Sequence, residues 1–177
     1  ENGNKINGTN GGTVISDDGS TIYGKNFFYN KLKNILEITE NVKYSDNIKN
    51  IVITADKIIY HKNDEKIFTI GNSKIIEENN NISANELEYD KNLNTFKAKK
   101  NAEIHDHSKD TKIYADEISY IKGEEKIYTK GKTRALVQKK YKFNSSDVDY
   151  SRNKENIFSK KKILIEDESG NVYKLNG

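Results

Sequence analysis

The chain has 177 residues with a net charge of +3; 33% are hydrophobic, 32% are charged, and none is cysteine or proline. This low apolar share predicts a thin core between two layers, and the lack of cysteine excludes a disulfide framework, a thiolate nucleophile and a cysteine-based zinc site. The charge is spread along the chain, which argues against nucleic-acid binding, and no apolar run is long enough for a transmembrane helix.

A repeat of about 30 residues runs along the sequence. Apolar residues recur seven before, two before, seven after and fifteen after one aligned tyrosine, and a small residue recurs five before it. The aligned tyrosines are Tyr29, Tyr60, Tyr89, Tyr120 and Tyr150. One unit cannot bury its apolar face alone, so the units must stack.

The first units predict short bent strands joined by polar turns. Unit one has a turn near 30–36, and unit two begins with a strand over 53–60. Within that strand the apolar residues change from odd to even positions at Ala55-Asp56, so they cannot all lie on one face of a regular strand. This change of parity predicts a bulge or a bend, with the aspartate capping exposed amides. A hairpin turn follows at 61–65, and Gly71-Asn72 predicts a second bend.

The later units repeat the pattern. A turn is predicted at 90–92, and the parity changes again at Ala115-Asp116 in unit four. In unit five Ser145-Ser146 replaces Ala-Asp, as Gly24-Lys25 does in unit one, and Lys160–Lys162 falls at a solvated turn. The tail 171–177 looks like the opening of a sixth unit, so we expect 1–177 to be one domain within a longer chain.

Two architectures would stack such units. One is a parallel β-helix, and the other is an antiparallel series of bent strands folded into two facing sheets. The polar hairpin turns and the break within each strand favour the second, an all-β antiparallel jelly roll, or folded taco, of about five repeats.

The repeat resembles that of the OstA-like family of lipopolysaccharide-transport proteins. The resemblance rests on Ile53-Thr54-Ala55-Asp56-Lys57-Ile58-Ile59-Tyr60 and on Ile67-Phe68-Thr69-Ile70-Gly71-Asn72. It returns in Ile82–Asp90 and Ile113–Tyr120 and covers about residues 22–165. The family includes the bridge protein LptA and the N-terminal periplasmic domain of LptD; the tail that opens a sixth unit favours the LptD domain.

The resemblance implies a non-enzymatic, cofactor-free protein in the periplasm of a Gram-negative bacterium. If the chain is the LptD domain, it would be attached to an outer-membrane barrel. Its partners would be the acyl chains of lipopolysaccharide, held in an apolar trough, and other transport proteins docked end to end. The strand expected to pair with a partner comprises Val172, Tyr173, Lys174 and Leu175. The expected lipid-lining residues are Ile53, Ile58, Ile67, Ile75, Ile82, Leu87, Phe96, Ile104, Ile113, Ile118 and Ile127.

Other candidate sites are weaker. His105-Asp106-His107 has a spacing that can ligate a metal, and Asp17-Asp18-Gly19-Ser20 resembles part of a calcium loop, but neither has further ligands at fixed offsets, so both are interpreted as solvated turns. No catalytic arrangement is apparent. The alternative function is a surface repeat adhesin or a carbohydrate-binding β-solenoid, which would show exposed aromatic residues at one repeat position outside the core.

Overall fold

The computed structural model describes residues 3–176, and within them the chain forms 17 β-strands. All strand pairs are antiparallel, and the strands form one sheet that does not close into a barrel. The predicted all-β antiparallel fold is confirmed, and the parallel β-helix alternative is wrong. The strands are β1 (Lys5–Gly8), β2 (Gly12–Ile15), β3 (Thr21–Gly24), β4 (Asn26–Asn30), β5 (Ile35–Asp46), β6 (Ile51–His61), β7 (Lys66–Glu77), β8 (Asn80–Asp90), β9 (Thr95–Asp106), β10 (Thr111–Ile121), β11 (Lys126–Lys130), β12 (Lys132–Val137), β13 (Tyr141–Ser146), β14 (Val148–Ser151), β15 (Asn156–Ser159), β16 (Ile163–Glu166) and β17 (Val172–Leu175).

The long strands β5 to β10 bend near their middles, where the inward-facing residues change parity. In β6, Ile53 and Ala55 are buried before the bend, and Ile58 and Tyr60 are buried after it. The register with β7 shifts between Thr54 and Lys57, and the register of β10 with β9 shifts between Ala115 and Glu117. The bends predicted from parity at the two Ala-Asp steps are therefore confirmed.

The aspartate of each Ala-Asp step contacts the bend of the following strand. Asn72 Nδ2 donates to Asp56 Oδ2 at 2.9 Å, and the backbone N–H of Lys132 donates to Asp116 Oδ2 at 3.2 Å. Gly71 has a φ of +77°, and a Cβ at this position would collide with Oδ2 of Asp56. Gly71 of one strand and Asp56 of the neighbouring strand therefore pack together at the same line of bends.

The line of bends folds the sheet into two facing layers, whose inward residues form one core cluster. The tyrosine layer carries the repeat tyrosines and runs in the order β1, β4, β5, β6, β7, β8, β9, β10, β11, β14, β15. The opposite layer runs in the order β2, β3, β5, β6, β7, β8, β9, β10, β12, β13, β16, β17. Away from the bends, the turns of one layer face the turns of the other, and this side is called the margin.

Candidate functional site

The centre of the interior is filled by protein. All eleven residues predicted to line a trough belong to the single core cluster, and each is at most 5% exposed. Phe96 stacks between two repeat tyrosines, with ring centroids 4.8 Å from Tyr89 and 5.9 Å from Tyr120. The structure therefore brings the predicted lining residues together, as a packed core in the middle of the domain.

A cavity of about 570 Å³ opens at the C-terminal end of the interior, between β10, β12 and β13 on one side and β14 and β15 on the other. Its volume lies within the range of small-molecule sites, about 300–1,000 Å³. Ile113 is the predicted lining residue that reaches it. The other apolar lining residues include Ala135, Val137, Phe143, Val148 and Ile157.

The sequence gives a physical reason for this cavity. Fifteen residues after the repeat tyrosine, three units place the large side chains of Tyr44, Ile75 and Ile104, and all three are buried. The fourth unit places Ala135 there, and Ala135 lines the cavity. The missing side-chain volume contributes part of the space between the layers, because a packed interior does not close fully around a deleted group.

The mouth of the C-terminal cavity is polar. Lys109, Asp110, Gln138 and Glu155 lie on its rim, together with Ser108. Lys109 Nζ donates to Glu155 Oε1 at 3.1 Å, which joins a turn of the opposite layer to a turn of the tyrosine layer. An apolar interior with a polar rim suits an amphipathic ligand whose chain enters first.

A smaller cavity of about 300 Å³ lies at the N-terminal end. Val14, Phe27, Tyr29 and Leu36 form its apolar wall, and Lys62 lies at its edge. The two layers thus separate at both ends of the domain, and the packed centre lies between the two cavities.

The margin is joined by ion pairs between the layers. Lys91 of the tyrosine layer binds Asp18 Oδ2 of the opposite layer at 2.6 Å and Glu65 Oε2 of its own layer at 2.8 Å. Burial alone would lower the pKa of Lys91, but the hydrogen bonds to the two carboxylates raise it above its ordinary value. Lys49 Nζ of the opposite layer donates to the carbonyl oxygen of Lys91 at 2.7 Å.

Two further sets of contacts continue this row. Arg152 binds Asp106 Oδ2 of the opposite layer at 2.6 Å and Glu125 Oε2 at 2.7 Å, and its Nη1 donates to the hydroxyl of Tyr120. Lys122 pairs with the fully buried Glu77 across the margin. Burial alone would raise the pKa of Asp106, but hydrogen bonds from Ser108 and Arg152 lower it.

Three basic residues of the margin, Lys91, Lys122 and Arg152, share a repeat position that the sequence analysis did not identify. A basic residue stands two after every aligned tyrosine: Lys31, Lys62, Lys91, Lys122 and Arg152. Five after each tyrosine stands an amide or a carboxylate: Asn34, Glu65, Asn94, Glu125 and Glu155. The backbone N–H of the basic residue donates to the carbonyl of the second set in the preceding unit, as from Lys91 to Glu65 and from Arg152 to Glu125.

The ends of both layers carry strands with one neighbour. Within residues 3–176, β1 pairs with β4 and β2 with β3 at the N-terminal end, while β15 pairs with β14 and β17 with β16 at the C-terminal end. The predicted docking strand is β17, and all four of its residues are exposed. Unpaired backbone groups on such strands can bind a further strand.

The turn predicted at the calcium-loop motif is confirmed, whereas the histidine motif lies only partly in a turn. His105 lies within β9 rather than in a turn, with its ring centroid 3.8 Å from that of His107. Asp18 does lie in a turn, but its carboxylate binds Lys91. Across the described residues, no group of three or more His, Cys, Asp or Glu side chains is arranged to hold a metal ion.

The fold matches that of a solved transport protein. The crystal structure of LptH, the LptA-homologous periplasmic component of the lipopolysaccharide transport device from Pseudomonas aeruginosa, aligns with a TM-score of 0.58. The alignment covers 75% of this chain and 99% of LptH, at 12% sequence identity. The chain has an LptA-like β-jelly-roll fold.

The other comparisons add no functional assignment. The TCP10 domain of Danio rerio CPAP, solved with a peptide of STIL, aligns at a TM-score of 0.20 and 8% identity over 98% of this chain and 99% of that one, and this similarity carries no argument. No protein-family model matches the chain, and no curated protein matches its sequence. In the described residues there is no helix with the length and hydropathy needed to cross a membrane.

Proposed function

We propose that this chain is a periplasmic lipopolysaccharide-transport domain of the OstA-like type, which binds acyl chains between its two layers and docks end to end with domains of the same fold. The proposal covers both members that the sequence resemblance names, the LptA bridge protein and the N-terminal domain of LptD attached to an outer-membrane barrel. It requires no catalytic group and no cofactor.

The observation that carries the proposal is the C-terminal cavity. Its wall is largely apolar, with Phe143, Val148 and Ile157 beside three threonines, and its rim is polar, with Lys109 and Glu155. Burying apolar surface contributes roughly 25 cal/mol per Å², so an acyl chain gains by leaving water for this wall. The eleven buried residues that the sequence predicts to line a trough would then lie along the route of an acyl chain beyond the cavity.

The edge strands support the docking part of the proposal. The cavity opens at the end of the domain where β15 and β17 each have a free edge. A partner domain of the same fold would add a strand to each layer there, and its interior would then continue that of this chain. Val172–Leu175 would supply the backbone groups for the opposite layer.

The alternative of a carbohydrate-binding surface has little support. Tyr23 and Tyr114 are exposed and share the position six before the repeat tyrosine. The other units place Thr54, Ser83 and Asn144 there, so this repeat position carries no continuous row of exposed aromatic rings. Stacking of sugars on such a row, which the alternative requires, is therefore not available at this repeat position.

Photo-crosslinking to purified lipopolysaccharide tests the proposal. A photoreactive diazirine analogue of leucine would replace Ile157, which lines the cavity, or the adjacent Phe158, which is exposed on the outer face of the same strand. We expect lipopolysaccharide to be captured at position 157 and not at position 158. Equal capture at both positions, or capture at neither, would reject an interior acyl-chain site.

A further inference from the structure

The packed centre of the domain separates the two cavities and blocks passage between them. A chain bound in the C-terminal cavity meets the stack of Tyr120, Phe96 and Tyr89 before it can reach the N-terminal cavity. These rings are about 1% exposed, so no space beside them admits a hydrocarbon chain in this conformation. Passage would require the two layers to move apart.

The ion pairs lie where such a movement would begin. Lys91 with Asp18, Lys122 with Glu77 and Arg152 with Asp106 each join a turn or strand end of one layer to the other layer. The opposite side of the domain is the continuous backbone of the bent strands, where the bulges interrupt the hydrogen-bond ladder. The layers can therefore part at the margin while they stay joined along the bends.

The chemistry of the margin suits repeated opening. An apolar margin would expose hydrocarbon to water each time the layers parted. An ion-paired margin exchanges each salt bridge for hydration of both charges, and this offsets much of the lost attraction. Margin ion pairs can thus hold the domain closed without making opening prohibitive.

We propose that these ion pairs form a latch, which must part before an acyl chain moves from the C-terminal cavity past the central aromatic stack. This inference rests on the proposed function, because it concerns the movement of the same ligand in the same interior. It assigns Lys91, Lys122 and Arg152, which stand two after their repeat tyrosines, a role in controlling access.

A covalent lock across the margin tests the latch without removing any ion pair. Ile48 and Leu93 are highly exposed residues at the tips of the two turns that Lys49 and Lys91 connect. Because the chain has no cysteine, I48C/L93C can be joined specifically by a short bismaleimide. The matched control is N63C/L93C, which joins neighbouring turns within the tyrosine layer, where Asn92 Nδ2 donates to the carbonyl of Asp64.

Capture of purified lipopolysaccharide would be measured with the photoreactive leucine analogue at Leu87, in the packed centre, or at Ile157, in the cavity. We expect capture at both positions in the unlocked protein and in the locked control. With the margin locked, capture at Leu87 should be lost while capture at Ile157 persists.

The remaining outcomes separate the latch from the proposed function. Undiminished capture at Leu87 with the margin locked would overturn the latch and leave the proposed function intact. Capture at Ile157 but never at Leu87 would also overturn the latch, because the centre would then not open. No capture at Ile157 in any form would overturn the proposed function and, with it, the latch.

Discussion

Arg152 and Asp106 lie 46 residues apart in the sequence, and the guanidinium donates to the aspartate through Nε at 3.1 Å and Nη2 at 2.6 Å. Both side chains are less than a tenth exposed. Both donors reach the same oxygen, Oδ2. Charge-assisted hydrogen bonds of this kind are stronger than neutral ones, so this contact holds the two layers together beside the C-terminal cavity.

Arg152→Met should destabilise the domain by about 3–5 kcal/mol, because it leaves a buried carboxylate without its counter-ion. The double variant R152M/D106N should lose less than the sum of the two single variants, which urea unfolding would measure. Additive losses would show that the two side chains do not interact, and a wild-type midpoint for R152M would show that the pair does not stabilise the fold.

Gly71→Ala should destabilise the domain by about 1–3 kcal/mol, because a side chain at positive φ is strained and its Cβ would collide with Asp56. Gly170→Ala is the matched control, since Gly170 has a φ of +83° and open space around its Cβ position. Thermal unfolding should therefore give a larger loss for G71A than for G170A. Equal losses of stability in the two variants would mean that the collision with Asp56 is relieved without a cost in free energy.

Ala135→Ile restores the side-chain volume that other units carry at this repeat position and should fill part of the C-terminal cavity. Cavity filling commonly adds about 0.5–2 kcal/mol of stability, and under the proposed function it should also reduce capture of lipopolysaccharide at Ile157. Arg134→Ile, one residue earlier, is the control for added hydrophobicity outside this cavity. Unchanged capture in A135I would place the ligand elsewhere.

Asp18 should make folding sensitive to acid. Burial alone would raise the pKa of Asp18, but hydrogen bonds from Lys91 and Ser20 lower it from 3.8 to about 2. The ion pair therefore stabilises the fold fully above pH 3.8, and its contribution is lost as the pH falls towards 2.

Asp18→Asn should flatten the fall of the unfolding free energy across this acid range, as measured by denaturant titration at each pH. The side chain is 43% exposed, so the loss at neutral pH should not exceed about 1 kcal/mol. Asp17→Asn, at an exposed neighbouring residue, should retain the wild-type pH dependence. Identical acid profiles for both variants would show that the Asp18–Lys91 pair does not contribute.

The free edge of β17 should allow weak self-association at high concentration. Val172→Pro should weaken it, because proline removes a backbone donor and restricts the strand. Asn176→Pro, just beyond the strand, should have little effect. Light scattering would compare the three proteins, and a strictly monomeric wild type would contradict association through the edge.

The repeat and the bends could be predicted from the sequence because both depend on local alternation of apolar residues. Ile53 and Ile58 differ in parity, and this difference alone requires a break between them. The ion pairs were missed because a lysine in a turn is usually solvated, and the burial of Lys91 depends on a turn 73 residues away that the folded sheet brings close. The cavity was missed because Ala135 counts as apolar in an alignment, although its volume is far smaller than that of isoleucine.

The line of bends also sets how this kind of domain can change in length. One unit supplies one long strand in each direction, and neighbouring strands are about 4.8 Å apart, so a duplicated unit would lengthen the interior by roughly 10 Å. Asp56 and Asp116 each contact the bend of the next strand, and the Lys91 and Arg152 amides reach only the preceding unit. An inserted copy would therefore meet matching bend and backbone contacts on both sides, whereas a margin ion pair such as Lys91–Asp18, which joins residues 73 apart, would have to form with another partner.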